Sequence, residues 1–178
     1  MSDVEIVDLE ATSSDAVRRF FQRIPEGDRT FFKENVLDDG TVESWAGDKD
    51  RRRLVAVDDG EVIGYLALIP EIGWSSHVGE IRLVVDPERR RGGLGRALAR
   101  RGLISALELG LTKVYVEVVA DQTAAVAMFQ ALGFEGEALL RDHVRDRSGE
   151  LRDLVLLAHA TGDNQAMFAA TGIDEAIG

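Results

Sequence analysis

Residues 84 to 96 read Val-Val-Asp-Pro-Glu-Arg-Arg-Arg-Gly-Gly-Leu-Gly-Arg, and this passage restricts the fold more than any other part of the chain. An apolar run stops at Asp86-Pro87, glycines cluster at Gly92, Gly93 and Gly95, and a long helical pattern begins at Leu94. A strand that turns through glycine directly into a helix is a βα unit, so the chain must contain a sheet with a helix laid on it. The same succession makes an anion site: the helix dipole and its first unpaired amides face the turn, and the glycines let backbone close round a ligand. Six arginines (Arg89, Arg90, Arg91, Arg96, Arg100 and Arg101) fall within thirteen residues here, in a chain of formal net charge −11. That local reversal of sign calls for a polyanionic ligand.

The loop lacks the lysine of a P-loop and the Gly-x-Gly-x-x-Gly spacing of a dinucleotide fold. What stands instead is Arg90-Arg91-Gly92-Gly93-Leu94-Gly95. It resembles the Gln/Arg-x-x-Gly-x-Gly/Ala loop of the GNAT family of N-acetyltransferases. Val84-Val85-Asp86-Pro87 is similar to that family's fourth strand and its exit. Gln122-Thr123-Ala124-Ala125-Val126-Ala127-Met128-Phe129-Gln130-Ala131-Leu132-Gly133-Phe134 resembles its Asn-x-x-Ala-x-x-x-Tyr-x-x-x-Gly-Phe helix, with Gln122 where Asn is usual and Phe129 where Tyr is usual. The resemblance covers residues 50 to 160. It implies acetyl-coenzyme A as co-substrate, its pyrophosphate held by Arg90, Arg91, Gly92, Gly93, Leu94, Gly95 and Arg96. It also implies a pantetheine arm along Leu83, Val84 and Val85, with Gln122 and Phe129 beside the coenzyme.

The 178 residues, 45% hydrophobic and 30% charged, suit one soluble domain, expected over residues 1–160 with a C-terminal extension, a short helix or disordered, over 161–178. Without cysteine there is no disulfide framework, thiolate nucleophile or cysteine-bound zinc, and no metal is expected. The acidic start Met1-Ser2-Asp3-Val4-Glu5 has no apolar h-region and no run is long enough to cross a bilayer, so a cytoplasmic protein is expected. Acidity disfavours nucleic acid and membrane and favours cationic small molecules or a basic peptide; a homodimer stays open.

Val4 to Leu9 alternates as a first strand, and Ser13/Ser14-Asp15 caps a helix running to Ile24. A second short helix is expected to carry Phe31, Phe32 and Val36, and Leu37 to Lys49 reads as a connection or a poorly formed helix turn. Leu54–Val57 and Val62–Ile69 form a hairpin, and Glu80 to Val85 the next strand, with Ile81, Leu83 and Val85 on one face. Glu80, Arg82 and Val84 occupy its other face, expected to meet a cleft or solvent. A helix from Leu94 stops at Gly110; Val114 to Val119 is a strand; Ala124 to Leu132 is a helix; Leu139–Val144 and Leu151–Leu157 close the chain as a hairpin. The order β-α-α-β-β-β-α-β-α-β-β is α/β or α+β. It matches the GNAT fold, which implies a mixed, mostly antiparallel sheet of about seven strands, flanked by helices, with strands four and five splayed.

Acyl transfer from a thioester to an amine needs a neutral amine, a polarised carbonyl and a proton returned to the thiolate. Glu80 and Glu117 are the carboxylates on the two strands in question. Either could take the ammonium proton, directly or through water, and either could instead pair with Arg82. The resemblance implies a tyrosine as general acid at the position of Phe129; because Phe129 cannot donate a proton, the acid falls to Tyr115, to water or to the reacting ammonium. His77 and His143 are candidates for the acceptor site only. The resemblance therefore implies acetyl transfer to a primary amine by direct attack in a ternary complex. An acyl-coenzyme A-binding module with little catalysis, and a protein lysine or N-terminal acetyltransferase, are the alternatives.

Overall fold

Seven strands form one sheet in the order β1-β2-β3-β4-β5-β7-β6, in a computed structural model that describes residues 4–29, 32–38 and 40–161. The strands are β1 (Glu5–Asp8), β2 (Arg52–Asp58), β3 (Glu61–Pro70), β4 (Val78–Val85), β5 (Lys113–Val119), β6 (Glu135–Arg145) and β7 (Leu151–Ala160). Helices are α1 (Ser14–Arg23), α2 (Glu26–Arg29), α3 (Thr41–Ser44), α4 (Leu94–Glu108) and α5 (Thr123–Ala131). Every neighbouring pair is antiparallel except β4 and β5, which α4 joins as a parallel crossover.

Ser13 caps α1 by accepting from the Ala16 amide, and the apolar stripe Val17, Phe20, Phe21 and Ile24 is fully buried. It lies on one sheet face with Trp45, Val55, Tyr65, Ala67 and Val84. Each phenylalanine buried there contributes about 1.5–3 kcal/mol of transfer free energy. On the opposite face α4 and α5 cover Leu66, Ile81, Val85, Val114 and Val116. Gly102 of α4 permits this approach: a Cβ there would stand 2.9 Å from Leu66 Cδ1.

The parallel pairing ends early. Only Val78 to Ile81 pairs with Lys113 to Val116, although β4 continues to Val85 and β5 to Val119. Past Ile81, β4 is paired with β3 alone and β5 with β7 alone, so the two strands diverge like a V.

Two expectations are corrected. No helix carries Phe32 and Val36: α2 ends at Arg29, and Asn35 folds the following segment into a turn, its Oδ1 accepting from Leu37 N and its carbonyl from Asp38 N. Phe31 lies outside the described residues. The Glu80–Arg82–Val84 face of β4 is divided: Val84 is buried in the α1-side core, against expectation, whereas Glu80 and Arg82 lie where β4 and β5 part, Glu80 covered there by its ion pairs. The connection after Leu37 contains α3, and its Trp45 stacks on Tyr65 at 5.4 Å. The Thr161 amide donates to Thr112 O, just before the interior strand β5, at 2.9 Å; the expected extension beyond it lies outside the described residues.

Candidate active site

The V between β4 and β5 brings Glu80 and Glu117 together. Register pairs Glu80 with Tyr115, so Glu80, Arg82, Tyr115 and Glu117 share the α1 side of the sheet. Lys33 reaches between the carboxylates, with Nζ 2.8 Å from Glu80 Oε1 and 3.0 Å from Glu117 Oε2. Arg82 holds the other oxygen of Glu80 at 3.0 Å, and contacts Glu34 at 3.5 Å. Glu34 is held in turn by Trp45 Nε1 at 3.3 Å and by Arg53.

Burial by itself would raise the pKa of Glu80, but hydrogen bonds from Arg82 and Lys33 outweigh it and hold the carboxyl below its ordinary value. Lys33 shows the complementary balance: burial would lower its pKa, and the two carboxylates more than reverse that. The arrangement is a preformed ammonium clamp. Tyr115 donates to Glu71 Oε1 at 2.5 Å. Burial, that hydrogen bond and the nearby charge of Glu80 push the phenol pKa up, so it keeps its proton at neutral pH. Beyond Tyr115 an open cavity of about 290 Å³ runs along Glu71, Ser75, Val78, Lys113, Glu137 and Leu156.

The glycine loop lies at the far end of β4. Gly93 is the N-cap of α4 with φ 83° and no side-chain cap, and the first amide of the helix with an acceptor in the chain is Ala97 N on Gly93 O. The preceding amides are therefore available to an anion. A Cβ on Gly93 would meet no atom within 4 Å, whereas one on Gly95 would come to 3.3 Å from Met128 Sδ and 3.7 Å from Val85 Cγ2. Gly92 and Gly93 are thus the open side of the loop, and the bare α-carbon of Gly95 serves helix packing. Leu94 is half-buried against the core.

The arginine cluster divides. Arg89 pairs with Asp58 at 2.8 Å, and Arg90 is drawn back to Asp28 at 2.5 Å and to Val85 O at 3.1 Å. Among the described residues no carboxylate lies within ion-pair distance of Arg91, Arg96, Arg100 or Arg101, and Arg91 and Arg96 are exposed beside the loop. Leu83 and Val85 face α4, and Val84 faces α1. The β4 edge between them and β5 is free for an added strand. Gln122 is exposed at the start of α5, while Phe129 is buried edge-to-face on Phe134 at 5.1 Å. His77 and His143 are exposed. Lys33, Glu34 and Glu71 are site groups that the sequence reading did not single out.

The family model described as "Acetyltransferase (GNAT) family" matches residues 14–134. Mycothiol acetyltransferase of Kocuria rhizophila is 37% identical over 123 residues, which are 66% of this chain and 39% of that protein. The chain thus corresponds to well under half of the length of that relative. Among solved structures, ribosomal-protein-alanine N-acetyltransferase from Brucella melitensis superposes with TM-score 0.75 at 20% identity, covering 88% of this chain and 99% of the other. Spermidine N-acetyltransferase from Vibrio cholerae, in complex with CoA and spermine, gives TM-score 0.73 at 21% identity over 89% of this chain and 95% of the other. At these identities the two structures speak for the fold.

Proposed function

Since the chain belongs to the acetyltransferase (GNAT) family, we propose that it transfers an acetyl group from acetyl-coenzyme A to a primary amine by direct attack in a ternary complex. The observation that carries this reading is the clamp at the divergence of β4 and β5, where Glu80 and Glu117 hold one ammonium between them at 2.8 and 3.0 Å.

The residues present fit the coenzyme. The uncapped N-terminus of α4, the open side of Gly92 and Gly93, and the unpaired Arg91 and Arg96 suit a pyrophosphate. The unpaired edge of β4 beyond Ile81 suits an arm that adds like a strand. Acetyl-coenzyme A supplies an activated acyl group on a good leaving thiolate. The protein's part is to hold the amine where β4 and β5 diverge and to accept its proton on Glu80 or Glu117. In this proposal Tyr115, protonated and two residues from Glu117 on the same face, donates a hydrogen bond to the leaving sulfur once released from Glu71; its hydrogen bond to Glu71 and its raised pKa support a proton donor. Arg90 acts on the loop rather than on the ligand, since its guanidinium is spent on Asp28 and Val85 O.

Relatives of this chain are named for mycothiol, ribosomal-protein alanine and spermidine chemistry, so the acceptor is proposed at the level of a primary amine. With Glu137 paired to Lys113, the carboxylates Glu71, Glu80 and Glu117 at and beside the cavity favour a cationic one. No helix among the described residues is long and apolar enough to cross a membrane, and a cytoplasmic setting belongs to this proposal. A second reading, a coenzyme-binding module with little catalysis, is favoured by Phe129, which cannot donate a proton. Release of free thiol from acetyl-coenzyme A, measured against polyamines, amino acids, aminoglycosides and peptides, separates the two. Turnover with one class supports transfer and names the acceptor. Tight coenzyme binding with no turnover for any class supports the module.

A further inference from the structure

Lys33 is presented to the clamp by its neighbours on either side. Phe32 is seated in the aromatic cluster, 5.5 Å from Phe21 and 5.8 Å from Tyr65 between ring centres. Glu34 is bound by Arg82, Trp45 and Arg53. With both flanking residues anchored, the lysine amine is confined where β4 and β5 begin to diverge instead of sweeping through solvent. Confinement of this kind turns a bimolecular encounter into an intramolecular one. The side chain nevertheless remains 44% exposed, so the amine is accessible from the open end.

We propose that Lys33 is itself an acetyl acceptor, a self-modification site at the same centre; this rests on the acetyltransferase reading above. In the step, Glu80 or Glu117 takes a proton from the Lys33 ammonium; the resting clamp favours the ion pair, so the neutral amine is the minor species and the labelling rate climbs with pH. The freed Nζ lone pair bonds to the acetyl carbon, the carbon–sulfur bond breaks, and its electron pair leaves with coenzyme A as the thiolate. The remaining surplus proton on nitrogen passes to that thiolate, directly or through water, and the carboxyl returns its proton to solvent. The products are Nε-acetyl-Lys33 and coenzyme A, with no other reactant needed. Modification removes the cation from the clamp. Glu80 keeps Arg82, but among the described residues Lys33 is the only cation on Glu117. The acetylated chain would therefore offer a vacant carboxylate to an incoming ammonium.

The chain has three lysines, and the other two serve as internal controls: Lys49 is exposed, and Lys113 pairs with Glu137 at 2.8 Å. The full chain is incubated with trideuteroacetyl-coenzyme A and the label is mapped by peptide mass spectrometry, with coenzyme binding followed by calorimetry on the same sample. Label at Lys33 should appear about ten times faster than at Lys49 and Lys113, or more. The rate per molecule should not change with protein concentration. The excess should vanish in the Glu80→Gln, Glu117→Gln double variant while coenzyme still binds. Lys33 labelling no faster than the two controls, with coenzyme bound and an added amine acetylated, overturns this inference and leaves the proposed function standing. A rate rising with protein concentration also overturns it, since transfer would then be between molecules. Absence of coenzyme binding removes both.

Discussion

Gly93 and Gly95 lie two residues apart in the same loop, yet substituting alanine for each should do different things. Gly93 has φ 83°, and its added methyl group would stand in open space ahead of α4. A non-glycine residue in that left-handed conformation costs about 1–2 kcal/mol. In a domain of this size that lowers Tm by roughly 2–4 °C per kcal/mol. The methyl also occupies the side from which an anion would reach the free amides, so coenzyme affinity should fall about tenfold or more, equivalent to about 1.4 kcal/mol. Gly95 is already helical. Alanine there gains up to about 1 kcal/mol of helix propensity, set against a 3.3 Å contact with the flexible Met128 side chain that must yield by a few tenths of an ångström. Stability should stay within about 1 kcal/mol of the parent and coenzyme affinity within about threefold. Scanning calorimetry gives the first quantity and titration calorimetry the second. Equal loss of affinity in both variants, or none in Gly93→Ala, would refute the division of the loop into an open side and a packing side.

Tyr115→Phe should lower kcat while leaving coenzyme affinity unchanged, and an unchanged kcat would remove Tyr115 from the reaction. Phe129→Tyr puts a hydroxyl into a position only 3% exposed against Phe134, so it should destabilise by about 1–3 kcal/mol without raising kcat; a large gain in kcat would show that a missing acid limits the natural reaction. Because the folded pKa of Glu80 lies below its ordinary 4.5, its stabilising effect is complete above that pH and fades as pH falls through the depressed value. Thermal unfolding of Glu80→Gln should therefore lie below the parent at neutral pH and converge with it on acidification; parallel curves would count against the clamp. Lys33, with pKa above 10.5, loses its contribution only on the alkaline side, as pH rises through the raised value.

The parts of the molecule legible in the sequence are those fixed by local chemistry. Ser13 caps α1, Gly93 and Gly110 bracket α4, and the alternation in β5 follows the pleat. The strand end, glycine turn and helix start from Val85 to Leu94 were readable for the same reason, since they lie within one short passage. The clamp was not. Glu80 and Glu117 could be placed on facing strands, but Lys33 reaches them only through tertiary anchoring of Phe32 and Glu34. Periodicity suggested a helix there, and the Asn35 side chain competes with it by taking the Leu37 amide. The arginine cluster was legible as charge but not as division of labour, because Asp28 and Asp58, which neutralise Arg90 and Arg89, lie far away in sequence. How far this face of β4 is covered was not legible for a related cause: Val84 packs into the α1-side core, and Glu80 and Arg82 are covered through mutual pairing and through Lys33 and Glu34.

The central claim is that the Glu80 and Glu117 pair supplies the base, one or the other receiving the proton of the attacking amine. Its most direct test is the rate of thiol release at saturating acetyl-coenzyme A, with the best amine found in the panel, in the Glu80→Gln, Glu117→Gln double variant. Coenzyme affinity should be unchanged while kcat falls about 10²–10⁴-fold, and the residual rate should climb with pH as the free amine fraction grows. A double variant that binds coenzyme and turns over at the parent rate, with the parent pH profile, would contradict the account.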